Sequence, residues 1–458
     1  MSGYEFSRKP KQVPQVRSAH RLIQTAIPAP GTEAILEELD RVESRSMHGQ
    51  LPLIWDRAKG HNIFDIAGNK WIDFTSTIFV ANIGHSNARL LQAMREVLDR
   101  ELLHSYAYAN RIRADYLEQL TRFSGFEKAF LLSAGTEATE AALKLMRMHG
   151  QSLGKRRPGI VCIEGNWHGR TMGAQMMSSN AAQKAWIGFQ DPNIHHIPFP
   201  YPWSLNGQSG AAFFAACKAR LEAQGIDFAQ DVCGFMLETF QGWGAVFYPP
   251  DFVQAIERLC RENGILLAFD EMQAGFARTG KRFGYEHYGV RADLICCGKG
   301  IGSGLPISAV LGSKEIMDLP DIGNMSSTHS ANPLVCAAGL ATLEEIGRLD
   351  LVAETERKGR LLFAELEKLK ARFPQRISWL LGKGLIAAVL FRKPDGSGVD
   401  TSFPSLVSER CMQKGLLVVH TGRESIKLGP PLTIPDGALV EGVTVLGEAI
   451  AEIDAESR

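Results

Sequence analysis

Six short apolar runs, each separated from the next by helical periodicity or by a loop, constrain this chain more than any other feature. Ala129–Leu132, Ile160–Ile163, Val232–Leu237, Ile265–Phe269, Leu294–Cys297 and Ile307–Leu311 are near-continuous in apolar residues. Strands that show no polar alternation are buried on both faces, which indicates a mostly parallel sheet with helices above and below. Helical patterns over roughly 87–102, 112–123, 136–149, 210–224 and 251–263 supply the covering layers. At 458 residues the chain is too long for one small module. After the helical run at 333–347 the texture changes. A long amphipathic helix over Leu351–Phe373, short strands at Ile386–Phe391, Leu416–Val419 and Ile426–Leu428, and a closing helix over Pro435–Ile453 read as a smaller α+β domain. The expected division is an arm or segment over 1–62 packing on the small domain or a partner subunit, a large domain over 63–347 and a small C-terminal domain over 348–458. Gly68-Asn69, between two short alternating runs, reads as a hairpin turn.

Charge excludes some functions. Fifty Lys+Arg balance fifty Asp+Glu, which argues against nucleic-acid binding. No apolar run reaches the ~18 residues that a membrane helix needs. The polar start Met1–Pro10 reads as lacking a secretory leader. The eight cysteines are scattered, with no Cys-x-x-Cys pair, and read as reduced, buried thiols of a cytoplasmic protein. Cys296 and Cys297 point to opposite faces of a strand and read as core packing. His195, His196 and His329 lack partners at metal spacing, so no metal site is expected. The charged face of the helix beginning at Leu351 reads as solvated surface, and Phe199–Trp203 as a loop packed at a subunit contact.

The chemistry gathers where strands end. Ile265–Phe269 delivers Asp270 and Glu271 to a C-terminal strand edge, where open α/β sheets place their ligands. Leu294–Cys297 leads into Gly298-Lys299-Gly300. Flanking glycines let a ligand approach, and a lysine in a partly apolar pocket loses proton affinity and becomes a nucleophile for carbonyls. Gly300 after Lys299 excludes a P-loop, and Leu305 breaks the dinucleotide glycine spacing. Gly135-Thr136 open an Ala-rich helix whose free N–H groups and hydroxyl suit an anion. The segment Asn166-Trp-His-Gly-Arg-Thr171 adds an aromatic and an arginine at the same sheet edge. A phosphate cradle, an aromatic plate, a strand-end Asp and a strand-end Lys are what a phosphorylated, aromatic, aldehyde-bearing cofactor requires.

On these motifs, kept in order from about Ile63 to the C-terminus, the chain resembles the class III (omega-type) aminotransferases, pyridoxal 5'-phosphate enzymes of the aspartate aminotransferase fold (fold type I). The resemblance implies Lys299 as the Schiff-base lysine and Asp270 as partner of the pyridinium nitrogen, both catalytic. It implies further cofactor contacts from Gln273 to the ring hydroxyl, from Trp167 by stacking, from Gly135 and Thr136 to the phosphate, and from His168 and Glu238. Thr328 matches a threonine that reaches the phosphate of the neighbouring subunit, which implies a homodimer at least and leaves a tetramer open. Where relatives using glutamate carry a Glu paired with a C-terminal Arg, this chain has Trp243 and Lys427. Lysine is a point charge, not a fork, so carboxylate recognition there differs. Arg170 stands where relatives contact a substrate carboxylate, and it reads equally well as structural. The implied activity is transfer of an amino group from an amine or amino acid to an oxo acid, aldehyde or ketone through a pyridoxamine form. Aminomutase, decarboxylase, racemase or phospho-lyase chemistry is the alternative on the same scaffold. A non-catalytic scaffold is disfavoured because the four anchors are intact.

Overall fold

A computed structural model describes residues 4–457. Met1–Gly3, part of the polar start read as lacking a leader, lie outside the described residues. The chain divides into two compact units. The larger comprises Ala88–Gly242 and Val246–Val352; the smaller comprises residues up to Asn87, Trp243–Ala245 and Ala353 onward.

The larger unit is built on a seven-stranded sheet. In spatial order its strands are Lys128–Leu132, Ser308–Gly312, Leu294–Cys297, Leu266–Asp270, Val232–Glu238, Gly159–Ile163 and Ile194–Ile197. The last five pair in parallel, and Ser308–Gly312 runs antiparallel to both of its neighbours. Its direction follows from chain length. Only ten residues join Cys297 to Ser308, too few for the helical crossover that a parallel neighbour requires. The central strands are buried along their whole length, as their unbroken apolar sequences demand. The helix Gly135–Ser152 packs Ala138, Ala142, Leu145 and Met146 into a core shared with Ile160, Cys162, Met236, Ala268, Leu294 and Cys296. All eight cysteines are buried and free. His195 and His196 lie on the edge strand, where His196 Nε2 is 3.0 Å from the Met177 carbonyl. The loop Phe199–Trp203 stacks Tyr201 on Trp203 at 4.8 Å between centroids.

In the smaller unit, a four-stranded antiparallel sheet orders Ile377–Lys383, Ile386–Phe391, Ser425–Leu428 and Val419–His420. A second sheet is made by the N-terminal segment, where the Asn62–Asp65 and Lys70–Asp73 hairpin turns through Gly68 at φ 79°. Leu416–Leu417 adds to that sheet in parallel with Ile72–Asp73. This pairing, together with the Trp71 Nε1 bond to the Met412 carbonyl at 2.7 Å, places residues 63–87 in the smaller unit rather than the larger one expected from sequence. Within the N-terminal segment, Gly31 caps the start of a helix over Thr32–Val42. Ser76, Thr77, Ile78 and Phe79 all have positive φ, a left-handed turn without glycine. It is held by Ser76 Oγ donating to the Gly429 carbonyl at 2.6 Å and by burial of the Phe79 ring.

Candidate active site

Parallel strands put their C-terminal ends on one edge of the sheet, and the larger unit gathers its polar chemistry there. Asp270 and Glu238 are register partners on adjacent strands. Lys299 lies two residues past the end of the next strand, at φ 46°. Asp270 is buried and used on both oxygens. Oδ2 is 3.0 Å from His168 Nδ1, and Oδ1 accepts the Met272 N–H at 3.0 Å. The strand thus hands the site a carboxylate of fixed orientation. His168 is itself buried, its backbone N–H bonded to Ser178 Oγ at 2.9 Å, and its Nε2 has no hydrogen-bond partner among the described residues. Glu238 accepts the Trp167 N–H at 3.0 Å, which ties the aromatic segment to the sheet. Adding a side-chain carbon at Gly242 would bring it within 2.8 Å of both Gln273 Nε2 and Glu238 Oε1, so that glycine marks where these two groups converge.

Burial lowers the Lys299 amine below its ordinary lysine value, opposed by the charges of Asp270 and Glu238. A lysine so placed is neutral over more of the pH range than an exposed one, which is the form that attacks a carbonyl. Glu271, fully buried next to Asp270, is pushed up to about 7 by desolvation, even though it accepts from Thr239 Oγ1, the Gly284 N–H and the Tyr285 N–H.

The anion cradle is the start of the helix Gly135–Ser152. Its first N–H groups have no intrahelical acceptor. Glu137 accepts from the Ser133 and Ala134 N–H groups, which fixes the turn into the helix. Met272 packs beneath. An added carbon at Gly135 would meet its sulfur at 2.7 Å, and one at Gly298 would collide with the same atom. Thr136 Oγ1 lies 2.6 Å from Thr171 Oγ1. Beside it, Arg170 places its guanidinium 4.6 Å from the centroid of Trp167.

Three further sequence-predicted residues have contacts of their own. Thr328 is exposed in the larger unit, and its carbonyl is 2.9 Å from His104 Nε2. Trp243 and Lys427 belong to the smaller unit. There the Arg423 guanidinium stacks 3.8 Å over the Trp243 ring, Ser425 Oγ donates to the Trp243 carbonyl at 2.9 Å, and Lys427 Nζ sits 4.7 Å from the Phe79 centroid. Sequence reasoning did not single out Met272, Glu140 or Arg423. Only Met272 had a local signal, as the bulky neighbour of Asp270-Glu271. Among the described residues no group of His, Cys, Asp or Glu could hold a metal ion, and no helix is long and apolar enough to cross a membrane.

The donor set is a buried lysine whose amine desolvation lowers, a fixed carboxylate, an aromatic plate and a helix N-terminus opened by a glycine. It fits a phosphorylated pyridine aldehyde. Comparison with known proteins agrees. The family model for class III aminotransferases matches residues 44–450. The chain belongs to the class III aminotransferases. A 2-aminoadipate transaminase from Pseudomonas putida is 33% identical over 88% of this chain and 97% of its own length. A 4-aminobutyrate aminotransferase from Mycobacterium leprae is 31% identical over 94% and 98%. Among solved structures, an amine transaminase from an uncultivated Pseudomonas species, in its PLP-bound form, superposes with a TM-score of 0.80 at 28% identity, covering 87% of this chain and 95% of that one. This class III aminotransferase is therefore a pyridoxal 5'-phosphate enzyme that transfers amino groups.

Proposed function

We propose that this aminotransferase works in the manner of omega-transaminases, moving nitrogen from an amine or amino acid to an oxo acid, aldehyde or ketone, as a cytoplasmic homodimer. The observation that carries the reading is the buried Lys299 amine, lowered by desolvation and placed one strand from the His168-held carboxylate of Asp270. Bound pyridoxal phosphate supplies the electron sink that makes the bond to the reacting carbon acidic. The chain does the rest. Lys299 Nζ carries the proton to and from that carbon. Asp270 holds a proton on the ring nitrogen, and His168 keeps Asp270 in position. Gln273 and Glu238 orient the ring, Trp167 supplies its stacking face, and Gly135 and Thr136 bind the phosphate. Thr328, exposed on its loop, serves the neighbouring subunit's phosphate, so each site needs two chains.

Arg170, Trp243 and Lys427 are the proposed substrate contacts. The half-buried Trp243 indole, capped by Arg423, supports a donor with an apolar body in place of the glutamate scheme. The experiment is the visible absorption spectrum of the purified enzyme with a panel of amines, alongside Lys299→Ala. A band that bleaches with an amine and returns with an oxo acid supports the assignment and identifies the donor. A band that no amine bleaches reversibly would count against it.

A further inference from the structure

The phosphate end of the cradle holds a chain of three side chains whose hydrogen-bond directions are fixed by chemistry. Thr171 Oγ1 lies 2.6 Å from Glu140 Oε1, and Glu140 Oε1 also accepts the Ala174 N–H at 3.0 Å. Glu140 Oε1 is the acceptor of both bonds, so the Thr171 hydroxyl hydrogen goes to Glu140. Thr171 Oγ1 is also 2.6 Å from Thr136 Oγ1 and has no second hydrogen to give, so Thr136 must be the donor of that bond. The Thr136 oxygen meanwhile accepts the Thr171 N–H at 3.4 Å. The hydrogen of the cradle hydroxyl is therefore committed away from any anion at the helix start.

The surroundings are built for this arrangement. Gly169, at φ 142°, leaves the space that Thr136 fills, because a side chain there would collide with its hydroxyl. Thr171 precedes the helix Met172–Met177 but does not cap it with its side chain; Glu140 takes the third N–H instead.

We propose that Thr171 and Glu140 are positioning residues that hold the Thr136 hydroxyl in check and so set how tightly the cofactor phosphate is retained. The proposal rests on the reading of Thr136 as a phosphate contact. To donate to phosphate, Thr136 must give up its bond to Thr171, and that exchange weakens retention. The consequence is a cofactor that leaves and re-enters more readily than the cradle's donor set alone would permit.

The test is equilibrium titration of the stripped enzyme with pyridoxal phosphate for wild type, Thr171→Val, Thr171→Ser, Thr136→Val and the Thr136→Val/Thr171→Val pair. The phosphorus resonance of the bound cofactor is recorded for each. Thr171→Val frees the Thr136 hydrogen and should tighten binding by about three- to tenfold, the range expected of one hydrogen bond. Thr171→Ser keeps the chain and should match wild type. Thr136→Val should weaken binding and shift the phosphorus signal, and in its background Thr171→Val should have no effect. Unchanged or weaker binding by Thr171→Val, with Thr136→Val weakening as expected, overturns the proposal alone. Wild-type binding by Thr136→Val overturns the phosphate role itself. Thr171→Ala repeats the arm should the valine variant not fold, and thermal melts of each stripped variant separate lost folding from altered affinity.

Discussion

His168 Nδ1 stands 3.0 Å from Asp270 Oδ2, with both side chains buried and the second carboxylate oxygen already taken by the Met272 N–H. The imidazole is thus half of what fixes the carboxylate. His168→Phe keeps a ring of similar shape and removes the bond. Hydrogen bonds to charged groups contribute about 1.5–3 kcal/mol, so turnover should fall by roughly 10- to 100-fold, with weaker cofactor retention. Steady-state kinetics and cofactor titration on the same variant would check both parts.

Lys299→Ala should abolish transamination while leaving the fold intact. Lys299→Met should reveal a pH effect in the stripped protein. Burial lowers the folded-state value of Lys299 below 10.5, so the unfolded chain binds the proton more tightly. The penalty for burying the charge is complete below the folded value and fades as pH rises toward 10.5. Wild type should therefore gain stability through that window, and Lys299→Met should lose the slope. Urea midpoints measured across alkaline pH test the difference.

Glu271 has the opposite sign. Its folded value of about 7 lies above the ordinary 4.5 of a glutamate, so its contribution to stability falls as pH rises from 4.5 to about 7 and is level above that. Glu271→Ala should remove this slope. It also strands the Gly284 and Tyr285 N–H groups and leaves the Thr239 hydroxyl only its 3.4 Å contact to the Asp270 carbonyl. A net loss of about 2–5 kcal/mol follows from those orphaned donors. Thermal melts at pH 5 and pH 8 would show both effects.

Gly135 and Gly298 both leave space that the Met272 sulfur occupies. Gly298→Ala should cost about 1–3 kcal/mol through overpacking. Pairing it with Met272→Ala should cost less than the sum of the two single changes, because each makes room for the other. A double-mutant cycle in denaturant decides it; strict additivity would show that the sulfur is not what limits the space.

Much of this was legible in the sequence because it is local. Unbroken apolar runs mark strands buried on both faces, and a strand's last residue falls at the site edge regardless of tertiary detail. Asp270 could be found that way, and Lys299 by the glycines that flank it two residues past its strand. The strand Ile377–Lys383 and the helix Phe403–Gln413 passed unread. The first ends in Gly-Lys, and the second begins with Phe-Pro and carries two serines, so neither shows a clean period. The antiparallel direction of Ser308–Gly312 depends on a loop's length rather than on the strand's residues. The left-handed turn at 76–79 contains two β-branched residues, which local preference would keep out of that region. It persists because Gly429, more than 340 residues away, accepts the Ser76 hydroxyl. The Thr136, Thr171 and Glu140 chain spans 35 residues and exists only once helix and loop have met.

The eight cysteines have a practical consequence. Each is buried, and burial pushes their thiols up, Cys336 to about 12. A thiol reagent therefore finds nothing to modify in the closed molecule and reacts only when a region opens. Cys162, Cys233, Cys296 and Cys297 report on the seven-stranded sheet, and Cys411 on the helix Phe403–Gln413 of the smaller unit. Mass-resolved alkylation over time would then act as a built-in set of clocks, timing the loosening of each unit without any label being introduced.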